Sequence, residues 1–66
     1  MNTPSMAIVT QRIGNRYEAT GATLAYGIRI WKVRKGRTEN EARRAVIEAL
    51  QKEFTRMEIA HEKHQD

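Results

Sequence analysis

An α+β fold, a three-stranded antiparallel β-meander packed on one long C-terminal α-helix (βββα), is predicted by three features of this 66-residue sequence. A Gly14-Asn15 pair separates two runs rich in strand-forming residues. A third segment alternates apolar and polar residues. From Thr38 onward no Gly or Pro interrupts an amphipathic pattern of helical period.

The elements follow in order. Residues 1–5, with Asn2, Thr3, Pro4 and Ser5, read as a disordered leader, and 6–60 as a single domain. Residues 7–13 are rich in β-branched side chains and predict the first strand. Gly14-Asn15 predicts a tight hairpin, because one or both central residues of such a turn need positive φ. The second strand is expected over 16–20, with weaker punctuation at Gly21-Ala22. A longer third strand is expected over 23–35, where Leu24, Tyr26, Ile28 and Ile30 alternate with Ala25, Gly27 and Arg29. Trp31 and Val33 fall on the opposite phase, which predicts either a bulge near Ile30-Trp31 or a strand covered on both faces.

The helix start is the plainest local signal. Thr38 and Glu41 form a T-x-x-E capping box behind Gly36, and Glu39 and Glu41 place acids where the helix dipole favours them. Ala42, Ala45, Val46, Ala49, Leu50, Phe54 and Met57 then recur at spacings of three and four, with Ile47 on one flank. Arg44, Glu48, Gln51, Lys52 and Thr55 occupy the other face, with Glu48 and Lys52 spaced to pair. A helix is expected over 39–60, fraying through a tail of 61–66.

Composition narrows the function. Eighteen apolar residues larger than Ala make one thin core, and a second copy of the chain would help to cover it, so a homodimer is one expectation. Without cysteine there is no disulfide framework and no thiolate metal site. No apolar run approaches the roughly 20 residues needed to span a bilayer, and the first residues lack the charged and apolar regions of a signal peptide. A cytoplasmic, non-membrane protein is the expectation.

Catalysis is not expected. The one Asp is terminal, the one Ser lies in the leader, and a nucleophile with its base and acid cannot be assembled from the rest. The glycines at 14, 21, 27 and 36 make no phosphate-cradling loop. His61 and His64 beside Glu58, Glu62 and Asp66 offer too few ligands on a fraying end, and a solvated tail is expected there, with no metal and no cofactor.

Charge is divided unevenly. Seven basic residues (Arg12, Arg16, Arg29, Lys32, Arg34, Lys35 and Arg37) face one acid, Glu18, up to residue 37, whereas five basic residues face seven acids beyond it. The positive field therefore belongs to the expected sheet, which points to a polyanionic partner. The helix needs the inner face of the sheet, so the basic excess is expected on the outer one. Basic residues alternating along strands suit a sheet in the major groove, where Arg reads guanine and other cations hold phosphates. Arg12, Arg16, Arg29, Lys32 and Arg34 are the sheet candidates, and Lys35 and Arg37 the phosphate contacts before the helix. Trp31 is expected in the core as an anchor between sheet and helix, with an outward stacking role as the alternative. Tyr17 and Tyr26 fit either place.

The stretch Arg29-Ile30-Trp31 through Thr38-Glu39-Asn40-Glu41-Ala42 resembles the last strand and helix start of the three-stranded-sheet-plus-helix DNA-binding domains. These occur as arm-binding domains of phage-type tyrosine recombinases and in plant ethylene-response factors. The resemblance covers about a third of the chain and implies DNA read by the sheet face, with the helix as support. The size and the single sheet-and-helix layer are those of small phage or mobile-element proteins, and an accessory or regulatory protein of that type is the expectation. Lys32-Val33 departs from the resemblance, standing where the plant pattern usually has an apolar residue and Gly. The stretch from Gly36 to Leu50 also looks like the closing helix of double-stranded-RNA-binding domains. There the family holds phosphates with lysines, and Glu39 and Glu41 would repel them. The competing expectation is a small adaptor or inhibitor that binds a host protein, by pairing an exposed strand edge within 24–33 with a partner's sheet.

Overall fold

The computed structural model describes residues 5–63, with side chains through residue 60. Three strands, β1 (Met6–Ile13), β2 (Arg16–Ala25) and β3 (Ile28–Gly36), form one antiparallel sheet in the order β1-β2-β3, and one helix, α1 (Glu39–Lys63), follows. This is the expected βββα meander. Residues 1–4 of the expected leader and 64–66 of the expected tail lie outside the described residues, as do the side chains of His61 and His64. Ser5 is tied down, since its carbonyl accepts a 2.7 Å hydrogen bond from Thr23 Oγ1. That bond satisfies the hydroxyl of the buried Thr23, which would otherwise cost free energy in an apolar site.

Both hairpins close on two-residue turns. Gly14 has φ +64° and joins the Ile13–Arg16 pair, as anticipated. The second turn is not at Gly21-Ala22. It falls at Tyr26-Gly27, where φ is +52° and +74°, the two positive values of a type I′ turn. Tyr26 accepts a backbone region that side chains disfavour, and its ring stacks on Phe54 with centroids 6.0 Å apart. The segment 23–35 is therefore two strand pieces around a turn, and the phase before the turn is the reverse of the one expected. Leu24 points outward and is 64% exposed, while Ala25 is buried. The register from Tyr17↔Gly36 to Ala25↔Ile28 is unbroken, so no bulge interrupts β3 at Ile30-Trp31. The alternation past Ile30 is that of a strand covered on one face.

That covered face carries Met6, Ile8, Thr10 and Arg12 from β1, Tyr17, Ala19, Gly21, Thr23 and Ala25 from β2, and Ile28, Ile30, Lys32, Arg34 and Gly36 from β3. The helix seats on it through the expected stripe. Ala42, Val46 and Leu50 are fully buried, and Ala45, Ile47, Ala49, Phe54 and Met57 are half-buried. Ala42 and Val46 meet Ala19, Ile8 and Tyr17; further along, Leu50, Phe54 and Met57 meet Ala25, Ile30 and Met6. The helix runs three residues past its expected end, to Lys63. Among the described residues the helix ion pair is Arg56 with Glu53 at 2.6 Å, not Glu48 with Lys52. Thr38 caps the start, accepting the Glu41 N–H on Oγ1 at 3.1 Å. Glu39 accepts a 3.1 Å hydrogen bond from Thr10 Oγ1 and so ties the first helical turn to β1.

Two glycines allow this seating. A Cβ at Gly21 would lie 2.8 Å from Leu50 Cδ1 and 3.1 Å from Val46 Cγ1. A Cβ at Gly36 would lie 2.6 Å from the backbone nitrogen of Ala42, at the point where the chain doubles back from β3 into the helix. Gly21→Ala should therefore cost about 1–3 kcal/mol through overpacking. Gly36→Ala should cost more, because backbone stands opposite it. Gly14 has nothing within 4 Å, so Gly14→Ala should cost only the left-handed penalty, about 1–2 kcal/mol. Urea or thermal melts check the order, with about 4–8 °C per kcal/mol at this size. Equal melting of Gly36→Ala and Gly14→Ala would contradict the close seating.

Candidate nucleic-acid interface

The opposite face of the sheet is open. It presents Ala7, Val9, Gln11 and Ile13 from β1, Arg16, Glu18, Thr20, Ala22 and Leu24 from β2, and Arg29, Trp31, Val33 and Lys35 from β3. These positions follow from the two turns: each closing pair sets which residues of the flanking strands share a face, and the period of two carries that choice along the sheet.

The cross-strand rows give the face its layout. Ala7, Ala22 and Trp31 lie in one row, and Val9, Thr20 and Val33 in the next. Trp31 is 65% exposed, since its row neighbours are two alanines that cannot cover an indole. The expectation that it anchors the core is therefore corrected: Trp31 shares the phase of Arg29 and Lys35, and the helix lies on the other side. Val9, at 68% exposure, completes an apolar centre with Trp31, Val33 and Leu24.

Cations flank that centre. Lys35 stands opposite Glu18 on one end, in the row of Gln11, and Arg16 follows in the next row. Arg37 lies in the connector to the helix, one residue past the last paired residue of β3, and is exposed. Arg29 sits at the other end beside Leu24. Six residues separate Arg29 from Lys35, about 20 Å along the strand. Glu18 accepts a 3.2 Å hydrogen bond from Gln11 Nε2. Among the described residues, none of Arg16, Arg29, Lys35 and Arg37 forms an ion pair. Their charges are therefore uncompensated by close contact.

The other three candidates are not on this face. Lys32 and Arg34 alternate onto the helix side of β3, where Lys32 is half-buried and Arg34 turns its guanidinium to the carbonyl of Val33 at 2.8 Å. Arg12 lies on the helix side of β1, and its Nε donates to the carbonyl of Gly14 at 3.0 Å. The seven cations thus divide into three on the open face, three on the helix side and Arg37 in the connector. Sequence reasoning passed over Gln11 and Thr20, the neutral hydrogen-bonding groups of the open face. Their phase relative to Gly14-Asn15 was the available signal.

Among the described residues no group of His, Asp and Glu is arranged to hold a metal ion. No described helix is long and apolar enough to cross a membrane. No protein-family model, curated protein or solved structure matches this chain.

Trp31 is the sole tryptophan, so its emission reports this face directly. Native fluorescence should be readily quenched by acrylamide and should shift little to the red on unfolding in urea. A large red shift would place the indole in the core.

Proposed function

We propose that this chain is a non-enzymatic protein that binds duplex DNA through the open face of its sheet. The observation that carries the reading is the set of cations, Arg16, Lys35 and Arg37 at one end and Arg29 at the other, that form no ion pair among the described residues, around an exposed Trp31. Three strands about 4.8 Å apart make a ribbon about 10 Å between its outer strands. This matches a major groove about 12 Å wide. Arg16, Arg29 and Lys35 project from the ribbon with the geometry to meet base edges or phosphates. Gln11 and Thr20 supply neutral donors and acceptors. Val9, Val33 and Trp31 offer apolar contact to thymine methyls and sugars. Arg37, outside the strands, meets phosphate. An accessory or regulatory role in a phage or mobile element is consistent with a single small reading module of this kind.

A protein partner is the second reading. It is favoured by the apolar centre formed by Val9, Leu24, Trp31 and Val33, which is rimmed by charge as a protein interface is. An adaptor or inhibitor would use that face as a docking patch rather than as a groove reader.

Salt dependence separates the two. Four phosphate-neutralising cations give a slope of about −3.6 in log K against log salt, or about 150-fold weaker binding between 50 and 200 mM. Seven would give about −6. Arg29→Ala and Arg16→Ala should each reduce the slope by about 1, while Arg34→Ala leaves it unchanged. Fluorescence anisotropy with labelled mixed-sequence duplex measures all of these. Absence of binding at low salt, or an Arg34→Ala loss equal to that of Arg29→Ala, would overturn the reading.

A further inference from the structure

The two edges of the sheet are unlike. β3 carries Arg29, Lys32, Arg34 and Lys35 within nine residues, and cations are a standard guard against edge-to-edge pairing. The helix also leans over β2 and β3 and touches β1 far less. β1 has neither protection. Its sequence, Met6-Ala7-Ile8-Val9-Thr10-Gln11-Arg12-Ile13, has no charge before Arg12 and no proline.

The free backbone groups of that edge can be assigned. A two-residue turn makes Ile13 and Arg16 a hydrogen-bonded pair, so Ala7, Val9, Gln11 and Ile13 direct their N–H and C=O groups to β2. Met6, Ile8, Thr10 and Arg12 direct theirs outward, where no strand among the described residues receives them.

We infer that β1 pairs antiparallel with β1 of a second copy, about a two-fold axis through Val9, to make a continuous six-stranded sheet. In this register Ile8 faces Thr10 of the partner and Met6 faces Arg12 of the partner as hydrogen-bonded pairs. All four outward-directed residues are then used. Val9 meets its own copy as a close non-hydrogen-bonded pair, with Cα atoms about 4.5 Å apart, which covers a side chain left 68% exposed in the single chain. The two Arg12 side chains stay about 20 Å apart along the strands, so no like charges stand opposite one another. A two-fold axis perpendicular to the sheet keeps both helices on one face. With each helix over β2 and β3, their axes lie about 19 Å apart, well beyond the 8–10 Å of helix contact, so they do not clash. The same edge pairing of β3 would bring cations close to cations.

The pairing does not depend on what the open face binds. The doubled sheet is about 24 Å between its outer strands, wider than a major groove, so groove binding takes the single chain and competes with the pairing.

Sedimentation equilibrium without nucleic acid tests it. The wild-type chain should move from 7.6 kDa toward twice that mass as concentration rises to about 1 mM. Val9→Lys alone and Val9→Glu alone should each stay monomeric, because each sets like charges across the axis. An equimolar mixture of the two should recover the dimer, and recovery requires that both variants fold. Val33→Lys, the equivalent change at the other edge in the same cross-strand row, should dimerise as the wild type does. A wild-type chain that stays at 7.6 kDa throughout overturns the inference and leaves the edge to a strand of another protein. So does a dimer that survives Val9→Lys, one lost on Val33→Lys, or a charge-paired mixture that remains monomeric.

Discussion

The helix can seat on this sheet only where the strands beneath it carry almost no side chain. Ala19, Gly21 and Ala25 of β2 lie under Val46 and Leu50, and Gly36 lies against the backbone of Ala42. Closeness at these points is what buries the six apolar residues of the core. A side chain in the wrong place does not simply fill space; at Gly36 it would meet backbone that cannot turn aside. The two-residue connector from Gly36 to Glu39, the Thr38 cap and the Thr10–Glu39 hydrogen bond all hold the helix at this approach.

The composition of the open face follows from the same constraint. One helix covers one face, and past Tyr17 small residues (Ala19, Gly21, Thr23 and Ala25) took the covered positions on the central strand. Several of the larger residues, Val9, Leu24, Trp31 and Val33, are left on the other side among its cations. A lone sheet face of this kind is costly in water unless something covers it at least part of the time. The proposed groove-reading role would account for both its cations and its apolar centre, with the helix as a rigid back to the ribbon.

The helix was legible almost to its ends, because the cap at Thr38 and the stripe from Ala42 to Met57 are local patterns that burial preserves. So were the first strand and the Gly14-Asn15 turn, where the residue type states the backbone requirement. The second turn was not legible, for two linked reasons. Tyr26 occupies a left-handed conformation that its residue type disfavours, held beside Phe54, a residue distant in sequence. Gly21 has the composition of a break but serves the helix that crosses above it. Moving the turn from 21 to 26 reverses the phase of Leu24 and keeps Ile28 and Ile30 on the helix side. It leaves Trp31 outward and divides the cations of β3 between the two faces. The unevenness of charge along the chain was plain in the sequence; which side of the sheet each cation occupies needed the register.

The open face, and not the helix side, is the proposed binding surface. Amide chemical-shift perturbation of isotope-labelled protein titrated with mixed-sequence duplex DNA tests it most directly. The largest changes should fall at Val9, Thr20, Ala22, Arg29, Trp31, Val33 and Lys35, with the indole N–H of Trp31 among them. Perturbations gathered instead on Arg43, Arg44 and Gln51, along the exposed side of the helix, would contradict it.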